Sequence, residues 1–430
     1  MLIMDSLNSS LNKNARDEAR KIFDVHKPKL KQMCFAGLES IYWRQDQYTT
    51  GGIVESDSRV DGGRKLYWPW CWPRTYIIEP LLVLGQFDRV KKFCNFWLRC
   101  QRPDGSWLHC YDVRDYSEFP GWSETDNVGY MLWHFSEYVK GSNDYSWLKQ
   151  NWCKIEVAAD FLLDKFDPKF SLIWGMEEAH IPGYEKMPIR YPLHLNCVCA
   201  KGLLAASELA QLMGHDELSQ KYSAAGRDII QNGIRKHLWD ARNRTFSFGL
   251  TENGNRLTAA VAWMTPIPFW LFDSFDDVLC ENLQFLQQSL YNKDSKIKRT
   301  YWIYDFDLVF KQNKLLENKY SGFGVQLGTL PVIIYACLKA NLFKHAAEQL
   351  GILLEFTNPE SNLVPEHINT LHPGELGNYS IYPKPYYYVD SGNLLHQSFF
   401  MTLIARIYPE ILIESHQKLC KSDMICKTTN

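Results

Sequence analysis

The chain has 430 residues, a net charge of −2, and 46% hydrophobic and 22% charged side chains, enough for a large buried core. Near-zero charge without a dense Lys/Arg cluster argues against a dedicated nucleic-acid binder, the nearest basic run being Lys296, Lys298 and Arg299. No apolar run approaches membrane-spanning length.

Residues 1–14 read as a polar arm that lacks the positive and apolar regions of a secretory signal. Beyond it, apolar positions at helical spacing predict about twelve helical segments, near 15–44, 74–84, 88–101, 124–139, 144–166, 192–212, 216–238, 257–270, 275–290, 324–340, 343–356 and 391–407. Residues 411–430 read as a C-terminal tail. The connections alternate in strict parity. Those leaving odd-numbered segments run to roughly 18–34 residues, past the ~12–15 at which loops become unusual. Those leaving even-numbered segments are short turns, such as Gly85-Gln86-Phe87 and Met213-Gly214-His215. Long loops in phase put the irregular chain on one face, where rigid scaffolds usually carry binding and catalysis.

Helices paired in this way imply an all-α (α/α)6 barrel over residues 15–410, with even segments inside and odd segments outside. Two separate helical domains are the weaker arrangement, because no Pro/Gly/Ser-rich linker divides the middle of the chain. Inner helices should be apolar on nearly all sides, as Asn196-Cys197-Val198-Cys199-Ala200 and Leu330 to Ala336 are. Outer ones should be amphipathic, and Leu218, Tyr222, Ala225, Ile229 and Ile230 form one stripe over 216–238. The twelve cysteines are scattered, with no CxxC and no HxxxH, so they read as buried thiols of a reducing compartment, the cytoplasm, rather than metal ligands. No metal or organic cofactor is implied.

Aromatic residues crowd the long loops. The first loop carries Trp68, Trp70 and Trp72, and later ones Trp107, Trp122, Trp174, Tyr184, Tyr191, Tyr301, Trp302 and a tyrosine run from Tyr379 to Tyr388. Singly, each ring reads as rim packing; together they suit a sugar, whose rings have apolar faces and hydroxyl edges. Carboxylates accompany them, Glu177-Glu178 in the third long loop and Glu366 after Pro365 in the sixth. Glycoside cleavage needs such a pair, one to protonate the leaving oxygen and one to activate water.

With these residues in place, the chain resembles the glucoamylases, the family-15 glycoside hydrolases, over roughly 65–405. Trp72-Pro73-Arg74 resembles the family's Trp-x-Arg-Asp element, Asp104-Gly105-Ser106 its Asp-Gly-Ser loop, and Glu124-Thr125-Asp126-Asn127 its Gln-Leu-Asp-Glu segment. Trp174 to Glu178 is similar to Trp-Glu-Glu, Leu363-Val364-Pro365-Glu366-His367 to Leu-x-Pro-Glu-Gln, and Gly392 to His396 to the start of the last helix. The resemblance implies an inverting exo-acting α-glucosidase on an (α/α)6 barrel. It makes Glu177 the general acid and Glu366 the general base, with Trp72, Arg74, Asp126, Trp174 and Glu178 around an oligo- or polysaccharide substrate.

The chain departs from the family at several points. Thr75 stands where the family has the Asp that grips the sugar's 4- and 6-hydroxyls, and Val325 and Leu394 stand where stacking tryptophans are expected. Gly175-Met176 separates Trp174 from Glu177, which keeps Glu178 as the alternative acid. For Asp126 the competing role is a helix N-cap. A trehalase or other α-glycosidase would use the same carboxylates, a non-catalytic sugar-binding module would lose one, and an epimerase or lyase would use His109, His180 and tyrosines instead.

Overall fold

The computed structural model describes residues 11–57, 59, 69–119, 123–177, 188–258, 264–291, 327–369 and 387–428, with backbone alone for 366–369, 387–391 and 423–428. The predicted first segment is two helices, α1 (Lys13–Asp24) and α2 (Lys27–Asp46). Asn12 caps α1 by accepting from Ala15 N at 2.8 Å. Pro28 stands in the first turn of α2, where its missing N–H costs nothing, and marks a fresh start rather than a continuation.

An inner ring follows. It consists of α3 (Ile78–Val83), α5 (Thr125–Ser142), α7 (Leu193–Leu212), α9 (Ile267–Leu271), α11 (Leu330–Lys339) and α13 (Leu394–Ile407). Each touches the next, and α13 returns to α3, so the ring is closed. Outside it lie α2, α4 (Phe87–Cys100), α6 (Tyr145–Asp164), α8 (Asp216–Asp228), α10 (Leu279–Leu290) and α12 (Phe343–Glu355). Burial separates the two layers. Helix α13 buries every residue except Arg406, and α5 buries Thr125 to Val139 except Glu137, whereas α8 buries only Tyr222 and Gly226. A π-helical stretch, Ile229–Leu238, completes the outer segment that starts with α8. The architecture is the all-helical (α/α)6 toroid expected from the loop parity.

Two helical expectations change. Between 257 and 270 only α9 is helical among the described residues; Pro266 stands at its N-cap, and Pro268 occupies its first turn, where a missing N–H is tolerated. The expected tail is instead α14 (Pro409–Thr428), packed on α2.

Short strands occupy the long connections. Strand β1 (Trp70–Cys71) pairs antiparallel with β2 (Tyr111–Asp112), and β3 (Phe166–Asp167) with β4 (Leu172–Ile173). Strands β5 (Ile189–Pro192), β8 (Gly249–Thr251) and β9 (Arg256–Leu257) form one three-stranded sheet, while β6 (Trp239–Asp240) pairs with β7 (Thr245–Phe246). Strand β10 (Pro365–Asn369) pairs with β11 (Tyr387–Ser391) in the register Pro365↔Ser391. These ribbons lead into the N-terminal ends of the inner helices and hold the site residues there.

One close approach sets the geometry of that end. A Cβ on Gly129 would lie 2.7 Å from the Val198 carbonyl, and one on Gly202 would lie 2.7 Å from Gly129 Cα. Helices α5 and α7 therefore meet backbone to backbone, which brings their first turns together.

Candidate active site

The first turns of α5 and α7 and the approach to α3 converge on a cluster of buried polar groups: Arg74, His109, Glu124, Asp126, Tyr130, Glu177 and His194. The loop before α7 delivers Glu177. A Cβ on Gly175 would meet Thr125 Oγ1 at 2.2 Å, so only glycine lets the chain pass there, and Thr125 N donates to Met176 O at 3.0 Å. The Gly175-Met176 insertion is thus the piece that docks the loop on α5 and turns Glu177 inward.

Glu177 Oε2 accepts from Leu195 N, in the first turn of α7, at 2.6 Å, and lies 3.0 Å from His194 Nδ1. His194 is fully buried, and its Nε2 is 2.9 Å from the Tyr130 hydroxyl, itself 3.1 Å from the Tyr76 hydroxyl. Burial, and then the Arg74 charge, hold the His194 imidazole well below its ordinary pKa, with Glu124 opposing. Burial likewise pushes the Tyr130 phenol up. The histidine is neutral at physiological pH, so one of its nitrogens donates and the other accepts.

A second pair stands beside the first. Trp72 Nε1 donates to His109 Nε2 at 2.8 Å, which leaves Nδ1 to donate to Glu124 Oε1 at 2.8 Å. Arg74, buried with them, reaches Glu124 Oε2 at 3.7 Å. Two histidine–carboxylate pairs thus flank one guanidinium. Glu124 is the N-cap residue of α5, though its side chain makes no capping bond, and Asp126 lies in the helix's first turn. The expected alternative of Asp126 as N-cap therefore gives way. Its Oδ2 sits 3.9 Å from His194 Nδ1.

Other expected residues have different surroundings. Trp174 carries Lys165 Nζ at 3.7 Å and the Arg190 guanidinium at 4.0 Å over its ring, so its π face is committed to cations. The ring of Trp72 is buried edge-on against His109. Trp107 donates to Trp97 O at 2.7 Å and is core, while Gly105, with φ of 87°, docks its turn against Val157 of α6. Thr75 Oγ1 accepts from Ile77 N at 3.2 Å, which ties it to the entry of α3. Glu366 lies in β10, whose first residue pairs with Ser391 three residues before α13; its side chain lies outside the described residues, as does all of Glu178. So do Trp68, Trp122, His180, Tyr184, Tyr301, Trp302 and Val325.

Asp126, Glu177 and His194 each offer one ligand atom within 4.8 Å of the others, the set of potential metal donors gathered among the described residues. Two carboxylates and an imidazole would suit a divalent cation. With a proton on Nδ1 the 3.0 Å approach of His194 to Glu177 Oε2 is a hydrogen bond and that nitrogen is closed to a metal, and the Arg74 charge beside His194 opposes a second cation.

No family model matches the chain. A stretch of 112 residues is 29% identical to an uncharacterized glycosyl hydrolase of Methanocaldococcus jannaschii; it covers 26% of this chain and spans only 18% of that relative's length. The fold is similar to the glucoamylase from Saccharomycopsis fibuligera, with a TM-score of 0.58 and 12% identity over 91% of this chain and 96% of that one. It is also similar to cellobiose 2-epimerase from Bacillus thermoamylovorans, with a TM-score of 0.54 and 8% identity over 87% and 98% of the two chains. At such identities the likeness shows the fold alone, the closed (α/α)6 toroid. No helix among the described residues is long and apolar enough to cross a membrane.

Proposed function

We propose that this chain is a glycoside hydrolase that removes non-reducing-end glucose from α-glucans or maltooligosaccharides with inversion. Glu177 protonates the glycosidic oxygen, and Glu366 activates water on the opposite face of the anomeric carbon. Inversion requires the two carboxyl groups to stand on the order of 6.5–9.5 Å apart, with the water between them. Arg74 and Asp126 hold sugar hydroxyls. The observation that carries the reading is the setting of Glu177, a buried carboxyl fixed by a helix N-terminus and a neutral histidine at the loop end of the barrel. Oε2 faces Leu195 N and His194, and Oε1 is the oxygen assigned to give and regain the proton.

The epimerase-like fold neighbour raises a second reading, in which a histidine abstracts a proton from the sugar. The bonding of His194 favours hydrolysis instead. Both of its nitrogens are engaged, with Tyr130 and Glu177, and it is fully buried. The test is product release from maltose, maltotriose, glycogen, isomaltose, trehalose and cellobiose, followed by proton NMR of the fresh product. The expected outcome is β-glucose from α-linked substrates, with kcat lowered roughly 10²–10⁴-fold in both Glu177→Gln and Glu366→Gln. Release of α-glucose first, an epimerised product, or full activity in either variant would sink the two-carboxylate mechanism.

A further inference from the structure

Tyr76, Tyr130 and His194 form a chain of buried polar contacts behind Glu177. From the far end, the contacts are Tyr76 OH to Tyr130 OH at 3.1 Å, Tyr130 OH to His194 Nε2 at 2.9 Å, and His194 Nδ1 to Glu177 Oε2 at 3.0 Å. Tyr76 also lines a cavity of about 230 Å³ together with Glu79, Trp133, Glu137, Lys201 and Arg406.

We propose that Tyr76, Tyr130 and His194 are positioning residues that fix His194 as its Nδ1–H tautomer and thereby keep the transferable proton of Glu177 on Oε1. Resting on the hydrolase reading, this adds to it the device that orients the acid. In this arrangement Leu195 N and His194 Nδ1 both donate to Oε2, His194 Nε2 accepts from the Tyr130 hydroxyl, and the Tyr130 oxygen accepts from Tyr76. Burial keeps both phenols and the imidazole uncharged, so no member of the chain competes for the proton. Among the described residues the charged and titratable neighbours are Asp126 on α5, Arg74 before α3, Glu124 at the head of α5, Arg406 on α13 near Tyr76, and the raised-pKa thiols Cys197 and Cys199 on α7.

Tyr130→Phe removes one hydroxyl and leaves the ring. Nε2 then loses the Tyr130 hydroxyl, the proton can move to it, and Nδ1 becomes an acceptor facing Oε2. Glu177 answers by holding its own proton on Oε2, turned away from the substrate. In the hydrolase this lowers kcat roughly tenfold, about the worth of one hydrogen bond, and moves the alkaline limb of the kcat profile up by about one pH unit, with KM unchanged. Tyr76→Phe, which touches neither Glu177 nor the sugar, shifts the limb in the same direction by less.

The second readout is independent of turnover. In the full chain labelled with ¹⁵N-histidine, the His194 resonance (assigned with His194→Gln) should report a neutral Nδ1–H tautomer from pH 5 to 8, and Tyr130→Phe should change it. A cationic or Nε2–H His194 in the native chain overturns the proposal. So does a Tyr130→Phe variant that melts like the native chain but keeps both the tautomer and the pH limb. If no sugar is hydrolysed, the hydrolase reading fails alone, and the NMR experiment still decides the chain.

Discussion

Arg74 shows how one residue can be readable as a motif and yet be understood only in place. The resemblance of Trp-Pro-Arg gives it an expected part in sugar binding, but nothing in the sequence says that its charge sits between a buried carboxylate and a buried imidazole. Removing one partner of a buried charge pair typically costs about 3–5 kcal/mol. Arg74→Met should therefore lower the unfolding free energy in urea by about that amount, before any effect on sugar binding is counted. A loss below about 1 kcal/mol would mean that the pair is as weak as a surface bridge. His194 and Tyr130 were hidden for the opposite reason. They stand among Leu193, Leu195 and Val128, Met131, where a lone histidine or tyrosine reads as core, and only the helix crossing aims them at Glu177.

At the scale of the element, loop parity was enough to order the barrel, because it depends on where turns fall rather than on which side chains touch. What parity leaves open is how closely neighbouring helices pack. At the α5–α7 crossing two glycines decide it, since a methyl on Gly129 would lie 2.7 Å from the Val198 backbone, which cannot rotate away. Overpacking of this kind typically costs about 1–3 kcal/mol. Gly129→Ala should lower the urea midpoint accordingly and reduce activity as well, since the crossing carries Asp126 toward His194 and Glu177. A substitution that left stability and activity both unchanged would mean that the helices can part at no cost to the site. The apolar run over 257–270 has helical spacing, yet among the described residues it is helical only over Ile267–Leu271, with Pro266 at the N-cap and Pro268 in the first turn.

For the whole molecule, the buried histidines make folding sensitive to acid. His134, in the middle of α5, is 1% exposed, with Nε2 3.2 Å from Pro73 O, so it ties the inner ring to the loop that carries Arg74. Burial holds its pKa down to about 4, against hydrogen bonds to Pro73 and Thr75 that favour the charged form. In the unfolded chain the same imidazole takes its proton near 6.5. Between those values the unfolded state binds the extra proton, so stability is full above about pH 6.5, falls as the pH drops, and levels off for this group near pH 4. A gap of that width is worth about 3 kcal/mol, a large part of the ~5–15 kcal/mol that holds a typical fold together. His194, displaced in the same direction, deepens the loss. Asp144 acts separately, because its pKa of about 2 confines its contribution to the range below about 4. Urea unfolding of the native chain and of His134→Gln between pH 7 and 4 should therefore give two lines of different slope, the native line being the steeper. Parallel lines would remove His134 from the account and leave the acid response to His194 and the surface carboxylates.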